Sequence, residues 1–519
     1  MDVERPDRTR RDADDRPALR IDGGDVALEQ VVALARGHLR PELSTDPAFR
    51  ARLEAGRAAF ERALAEGRPV YGVTTGVGAS VTTPIPPEER KRMPLHLLRF
   101  HGCGTGRRLD DEEAAAVVAV RLVSLARGWS AVRPVLLERL CALLARGVRP
   151  CIPEEGSVGA SGDLTPLSYL AALLAGEREA RLDGEERPAA EALARAGLEP
   201  LELQPKESLA LMNGTAVMTA IGCLAWERAR RLARLACAVT AMASRATAGN
   251  PGHFEPRIFA SKPHAGTVRA AAWIRADLAG PSPEPPARLQ DRYSIRCAPH
   301  VIGVLLDALD FQRGLLEVEV NGADDNPLVD PEHGCVLHGG NFYGGHVAFA
   351  MDGLKAAVAG VADLLDRQLQ LLCAPETSGG LPPNLIRGAA HHGMKAMQIS
   401  TSALAAEALK LTMPAASFSR STEGHNQDKV SMGTIAARDA RRVVELTETV
   451  AAMALLAGCQ ALDLRGGAVP GALGALRDAV RARVPRLEED RRQDRDVETV
   501  RAMLREDALP LPLEPPAPV

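Results

Sequence analysis

The sequence predicts a mainly helical protein, and three observations predict it. Residues 216–248, His346 to Leu372 and Thr434 to Leu464 are long stretches with helical patterning, the first rich in Ala, Leu and Arg. Shorter stretches of the same kind run from Glu112 to Ala126, from Val132 to Leu144 and from Ile302 to Val320. Helix punctuation is present as well. Thr165 can act as N-cap, Pro166 suits a first helical position where no N–H is needed, and Gly176 can end the run Leu167 to Leu174.

Composition narrows the class. The chain has 519 residues, 46% of them hydrophobic, as in soluble globular proteins. Its 63 basic and 67 acidic residues give a net charge of -4, and the arginines are interspersed with Asp and Glu, so no nucleic-acid partner is expected. Nine widely spaced cysteines without a C-x-x-C suit unpaired thiols in a reducing cytoplasm. No continuous apolar run approaches the roughly 18 residues of a membrane span, and the charged N-terminus has no signal-peptide h-region. There are only four tyrosines, which makes the place of each informative.

In chain order, Met1 to Pro17 is dense in Arg and Asp and reads as a disordered tail. Helical patterning starts at Ile21, with Val31, Val32, Leu34 and Leu39, then Phe49, Leu53, Phe60 and Leu64. Val70-Tyr71-Gly72-Val73-Thr74-Thr75-Gly76-Val77-Gly78 reads as a mobile loop, and without G-K-[ST] it is a weak phosphate loop. Thr82 to Glu89 is Pro-rich loop. Phe100-His101 follows, then Gly156-Ser157-Val158-Gly159-Ala160-Ser161-Gly162-Asp163 ahead of the Thr165 helix start. Glu177 to Gln204 is a charged, Pro-containing surface excursion, and Pro281 to Pro286 is a Pro-rich loop. Arg481 to Leu504 reads as a charged amphipathic helical region, and the Pro-rich end from Leu509 as a tail.

The Gly156–Asp163 stretch supports several readings. Glycines flanking Ala160-Ser161 allow a tight bend, and the following helix N-terminus favours developing negative charge. A plain Gly-rich turn has the same composition. A dinucleotide loop lacks its G-x-G start, and Gly-Ala-Ser-Gly-Asp breaks the G-x-S-x-G elbow of a hydrolase nucleophile.

The stretch also resembles the signature of the histidine, phenylalanine and tyrosine ammonia-lyase family, and five further motifs agree in order and spacing over roughly Gly24 to Ala475. These are Tyr71-Gly72-Val73-Thr74-Thr75-Gly76-Val77-Gly78, Lys206 to Thr215, Gln290-Asp291-Arg292-Tyr293-Ser294-Ile295-Arg296-Cys297, Asn321 to Gly344, and His425-Asn426-Gln427-Asp428. The resemblance implies a mainly α fold of ammonia-lyase (fumarase/aspartase-like) architecture, with a long central helix bundle and a loop-rich N-terminal catalytic region. It implies a homotetramer whose active sites are shared between subunits. It also implies that Ala160, Ser161 and Gly162 cyclise and dehydrate to the electrophile 4-methylidene-imidazole-5-one (MIO), with no metal. His391-His392 does not argue otherwise, since adjacent histidines on a helix face apart.

The resemblance assigns roles residue by residue. Tyr71 is the general base, which would need cationic or helix-dipole help because an ordinary tyrosine titrates near 10. Asn213 contacts electrophile and substrate in the manner of an oxyanion-hole donor. Arg296 suits the substrate carboxylate with its planar fork, while Gln290 and Tyr293 line the site and Phe342 sits beside the electrophile. Phe100-His101 falls at the family's selectivity pair: Phe100 would line a ring pocket, and His101 either hydrogen-bonds a phenol or fills the place of a leucine. Lys395, one of seven lysines, matches a lysine of phenylalanine lyases, and Glu423 matches a glutamate near the substrate amine. Gln427 stands where histidine lyases carry a glutamate.

The expected reaction is therefore deamination of phenylalanine or tyrosine to a trans-arylacrylate. The alternatives are a histidine ammonia-lyase giving urocanate, an aromatic 2,3-aminomutase, or an inactive oligomeric binding homologue. The expected domains are a disordered tail at 1–20, an MIO-bearing catalytic domain at 21–215, a long-helix bundle at 216–480, and a C-terminal helical segment and tail at 481–519. The expected partner is a small aromatic amino acid; neither nucleic acid nor membrane is expected.

Overall fold

The Asp111–Ala126 helix shows how local sequence builds this fold. Asp110 accepts the Glu113 N–H at 2.8 Å and Glu113 returns the favour to the Asp110 N–H at 2.8 Å, a reciprocal capping box. From Glu113 to Ala126 the helix is buried all round, so it serves as a core element. Pro47–Ala65 starts by the same logic, with Asp46 accepting from Ala48 N and proline in the first helical position.

The computed structural model describes residues 15–280, 285–286 and 288–514. The chain is mainly helical and groups into two compact units, each assembled from separate segments. The first comprises 1–224, 314–351 and 414–438, and the second 225–313, 352–413 and 439–519. Four long helices, Ala216–Ala246, Ala298–Asn321, Gly345–Cys373 and Gly433–Arg465, supply residues to both units. Gly433–Arg465 is long and apolar enough by composition to cross a bilayer once interspersed charges are allowed, but 83% of its apolar 18-residue stretch is buried, as for a core helix.

In the first unit, small sheets brace short helices. Ala18–Ile21 pairs in parallel with Arg40–Leu43, so the strand begins inside the tail expected at 1–20; residues 1–14 of that tail lie outside the described residues. The excursion expected over 177–204 is ordered. Glu179–Leu182 and Glu185–Pro188 form a hairpin across Asp183-Gly184, both at positive φ (53° and 77°), and a helix covers Ala189–Arg195. Ala180, Ala189, Ala192 and Leu193 are fully buried, which ties this segment to the core.

The second unit packs long helices through buried polar pairs. Arg234 donates to both carboxylate oxygens of Asp277 at 2.7 and 2.8 Å, and Arg228 and Arg505 converge on Glu448. The helical region expected at 481–504 is interrupted. One helix ends at Arg481 and the next spans Asp494–Arg505, because Pro485 cannot donate the N–H that a continuous helix needs. Part of the expected C-terminal tail is held: the Pro512 and Glu514 carbonyls accept from Arg234 Nε and Trp273 Nε1 at 3.1 and 3.2 Å. Residues 515–519, and 281–284 of the Pro-rich loop, lie outside the described residues.

Candidate active site

The Ala160-Ser161-Gly162 turn lies in the wall of a cavity of about 520 Å³ within the first unit. The backbone bends here through positive φ at Gly159 (75°), Ser161 (52°) and Gly162 (73°). Serine in the left-handed region stores strain of order 1–2 kcal/mol, which surrounding contacts must hold. Those contacts come from Gly214. It pairs with Gly162 as a backbone bridge, and its carbonyl accepts the Asp163 N–H at 2.7 Å. A Cβ at position 162 would collide with the Gly214 carbonyl, so only glycine fits.

The helix after the turn starts at Leu164, and Thr165, the cap expected from sequence, sits inside its first turn. Asp163 does not cap that helix. Its carboxylate accepts instead from Val217 N (3.0 Å) and Met218 N (2.9 Å), at the start of Ala216–Ala246, and from Ser157 Oγ and Thr434 Oγ1. Burial pushes Asp163 up to about 6, against these hydrogen bonds. Asp163 thereby ties the strained turn to a second helix N-terminus.

Gly214 is itself placed by Asp324. The Asp324 carboxylate accepts from Arg121 Nη1 (2.8 Å), Ser124 Oγ (2.7 Å) and Thr215 N (2.7 Å). Beside it Lys206 and Asp325 form an ion pair with both side chains fully buried. Burial lowers the Lys206 ammonium, against the pull of Asp325. Asn213 Nδ2 donates to Asn326 O at 2.9 Å and lies 3.4 Å from Asp325 Oδ1. Asn213 Oδ1 is buried and has no partner among the described residues. The Asn213 Nδ2 group is therefore engaged by Asp325 and by Asn326, itself a lining residue.

Tyr71 stands on the loop expected from sequence. Its hydroxyl accepts the Gly78 N–H at 2.7 Å. Burial raises the phenol above its ordinary value, the Gly78 bond opposes this, and the Glu423 charge adds to the rise. The cationic help expected for Tyr71 is not among the causes of its shift. Glu423 is held by the Ala79 N–H, at 3.0 and 2.8 Å to its two oxygens. Gly78 has φ 59°, and a Cβ there would run into the Glu423 carboxylate.

At the ring end, His101 closes the Met93–Phe100 helix. Its Nδ1 lies 2.9 Å from Leu97 O, and a carbonyl can only accept, so Nδ1 carries the proton. Burial lowers the His101 pKa, with Arg178 adding to the fall, so the ring is neutral at pH 7 and Nε2 is an acceptor. Phe100 lies against it, ring centroids 3.9 Å apart, and is 59% exposed. Thr422 Oγ1 donates to Gln427 Oε1 at 3.1 Å, which leaves the Gln427 amide hydrogens for a ligand.

Tyr71, Phe100, His101, Ala160, Ser161, Gly162, Asn213, Phe342, Glu423 and Gln427 all line this cavity. Gln290, Tyr293, Arg296 and Lys395 belong to the second unit and are not among its lining residues. Tyr293 is 72% exposed, with the Arg296 guanidinium 4.5 Å over its ring and Arg296 Nε donating to Asp291 O at 3.0 Å. Among the lining residues to which the sequence reading gave no role are Asn326, inside the Asn321–Gly344 motif, and Lys429. Lys429 follows the His425–Asp428 motif directly, and its charge was the signal available. No cluster of three or more metal-ligating side chains occurs among the described residues.

Comparison with known proteins places this geometry among relatives. The family model described as aromatic amino acid lyase matches residues 26–484. A histidine ammonia-lyase from Anaeromyxobacter dehalogenans is 43% identical, covering 95% of this chain and 99% of that protein. Among solved structures, a tyrosine aminomutase from Streptomyces globisporus superposes with a TM-score of 0.89 at 36% identity, covering 95% of this chain and 97% of that one. A histidine ammonia-lyase from Trypanosoma cruzi superposes with a TM-score of 0.87 at 34% identity, covering 95% and 94%.

Proposed function

From the premise that the chain belongs to the aromatic amino acid lyase family, we propose that it removes ammonia from L-histidine to give trans-urocanate. It is a carbon–nitrogen lyase. The observation that carries the substrate reading is His101. A neutral imidazole with Nδ1–H spent on Leu97 O offers Nε2 as an acceptor at a cavity whose Gln427 offers a donor. A neutral histidine ring has one N–H and one bare nitrogen, the complementary pair. The name borne by the 43% identical relative supports the same substrate.

L-Tyrosine is the second reading. A phenol also donates and accepts, Gln427 lacks the charge that would pair with an imidazolium, and a tyrosine aminomutase shares the fold at 36% identity. Phenylalanine would leave the His101 acceptor facing an apolar ring, at a cost of about 1–3 kcal/mol. Phenylalanine, expected from sequence on a par with tyrosine, therefore ranks third.

The Ala160-Ser161-Gly162 turn fits the MIO group. Its left-handed bend at Ser161 and Gly162 is held against Gly214, and no side chain at 162 obstructs it. When formed, MIO supplies an electron-poor carbon that receives the substrate. Around it, Tyr71 Oη takes the β-proton as phenolate, and the Gly78 N–H favours that charged form. Leu97, Leu209, Met212 and Phe342 give the cavity an apolar lining that holds the ring and keeps water out.

The proposal takes the active enzyme to be a cytoplasmic homotetramer in which other subunits complete each site. In its support, Gln290, Tyr293 and Lys395 are exposed and do not line their own chain's cavity. Val304 and Phe311, two turns apart on one helix, are 59% and 58% exposed, as expected of an interface stripe. None of the nine cysteines forms a disulfide among the described residues. The test is a panel in which purified protein meets histidine, tyrosine and phenylalanine separately, with urocanate, 4-coumarate and cinnamate followed by ultraviolet absorbance. Urocanate supports the first reading and coumarate the second. A β-amino acid found by chromatography would mark an aminomutase, and cinnamate as the chief product would overturn the role given to His101.

A further inference from the structure

We propose that Arg178 is a specificity-determining positioning residue. From outside the cavity wall it clamps the end of the Met93–Phe100 helix, and so fixes where the His101 Nε2 acceptor meets the substrate ring. The inference rests on the role given above to His101. Arg178 is not among the residues that line the cavity, and it stands just before the Glu179–Leu182 strand. Its backbone is left-handed, φ 63°, a conformation uncommon for a residue that carries a Cβ. Strain of that kind persists only where surrounding contacts hold it.

The side-chain hydrogen bonds of Arg178 run towards His101. Nη2 donates to Leu98 O, and Nη1 donates to Ser168 Oγ at 2.9 Å. Ser168 is fully buried on Leu164–Leu174, with its Oγ 3.3 Å from His101 O. The guanidinium carbon stands 4.3 Å from the Tyr169 ring centroid. Gly102 leaves the group room, since a Cβ there would strike Nη2. The Arg178 backbone is fixed as well, its carbonyl accepting the Ala189 N–H at 2.7 Å. Beside it Glu177 accepts from Arg99 Nε at 3.0 and 3.1 Å, but that pair is exposed and water screens it.

A helix end leaves its last carbonyls without partners and carries partial negative charge. Here Leu97 O takes the His101 Nδ1–H and Leu98 O takes Arg178. A helix C-terminus ordinarily favours a protonated histidine. Arg178 occupies that place as the cation, and its charge adds to burial in lowering His101. One side chain thus holds both the position of the His101 ring and its neutral, accepting form.

The test is a double-mutant cycle on the full chain, read as the ratio of kcat/KM for L-histidine to that for L-phenylalanine, and again with L-tyrosine in place of histidine. Arg178→Gly suits the left-handed backbone and removes the guanidinium. It should lower the ratio at least fivefold alone, and less than twofold in a chain already carrying His101→Leu, because the effect runs through that ring. Equal losses for all three amino acids would make Arg178 merely structural and overturn the proposal. The same shift with and without the His101 ring would overturn it too. Arg178→Lys keeps a charge but has no fork to bridge Leu98 O and Ser168 Oγ, and should lower the ratio at least twofold. An unchanged ratio in Arg178→Lys overturns the clamp, whether or not the glycine variant folds. If the unsubstituted enzyme deaminates neither histidine nor tyrosine, or His101→Leu alone leaves the ratio unchanged, the role given to His101 falls and this inference with it. A ratio that responds to His101→Leu but not to Arg178→Gly overturns this inference alone.

Discussion

The Tyr71 hydroxyl lies 2.7 Å from the Gly78 amide nitrogen and accepts its N–H. That bond favours the phenolate, but burial and the Glu423 charge outweigh it and hold Tyr71 above the ordinary phenol value. In the proposed role of general base Tyr71 works deprotonated, so kcat/KM should climb with pH on the alkaline side. Glu423→Gln removes a negative charge that opposes ionisation, keeps an acceptor for Ala79 N, and should move that limb to lower pH. Tyr71→Phe should cut turnover by about 100-fold or more and abolish the limb. The pH profile of kcat/KM checks both, and a limb unmoved in Glu423→Gln would uncouple the two groups.

On the proposed MIO reading, Ser161 is the one residue of the turn whose side chain is consumed. Loss of two waters on cyclisation and dehydration should leave the purified protein about 36 Da lighter than its sequence by intact mass, on the covalent change alone. Ser161→Ala should lack the dehydration, lose turnover by several orders of magnitude, and keep the same elution volume by size exclusion. Full activity in that variant would remove the electrophile from the mechanism.

The loops that line the cavity can be named from sequence because each carries its own local signal. Ala160-Ser161-Gly162 sits between glycines, Tyr71 is one of four tyrosines, and His425–Asp428 is a compact polar cluster. What holds those loops is not local. Lys206 and Asp325 are 119 positions apart, and Arg121 and Asp324 are 203 apart, so no periodicity links them. Asp163 reads as a residue before its own helix, yet its carboxylate goes to Val217 and Met218 of another. The hairpin at Asp183-Gly184 did have a signal, an Asp-Gly turn pair, but the many charges around it read as solvated surface. Pro485 likewise marks a helix break that the amphipathic pattern of the C-terminal region obscures.

His101 should control ring preference through a single nitrogen. Its Nδ1–H is bound to Leu97 O, so His101→Leu removes the Nε2 acceptor while apolar bulk beside Phe100 remains. kcat/KM for histidine and tyrosine should fall roughly 10- to 100-fold, and phenylalanine should gain relative to both. Gln427→Glu should act in the opposite sense, favouring histidine over tyrosine by supplying a charge for an imidazolium. An unchanged preference in both variants would assign ring selection to other lining residues.

Glu319 makes stability depend on pH. Its carboxyl accepts from Thr215 Oγ1 at 2.8 Å, and burial, with Asp324 and Asp163 nearby, pushes it from 4.5 up to about 7. A raised carboxyl pKa means the native state keeps a proton that the unfolded chain releases across that window. Stability from this group is therefore full below about pH 4.5, falls as pH rises towards 7, and is flat above. Glu319→Gln keeps an acceptor for Thr215 and cannot ionise. Relative to the unsubstituted protein its stability should be near unchanged at low pH and gain roughly 1–3 kcal/mol above neutrality. Asp163, pushed up to about 6 by burial, adds a slope of the same sign in both proteins, so the difference between them reports Glu319 together with its coupling to Asp163. Urea unfolding of the pair across this range measures it. A difference constant with pH would show that Glu319 titrates alike in the native and the unfolded chain, and would overturn the raised value.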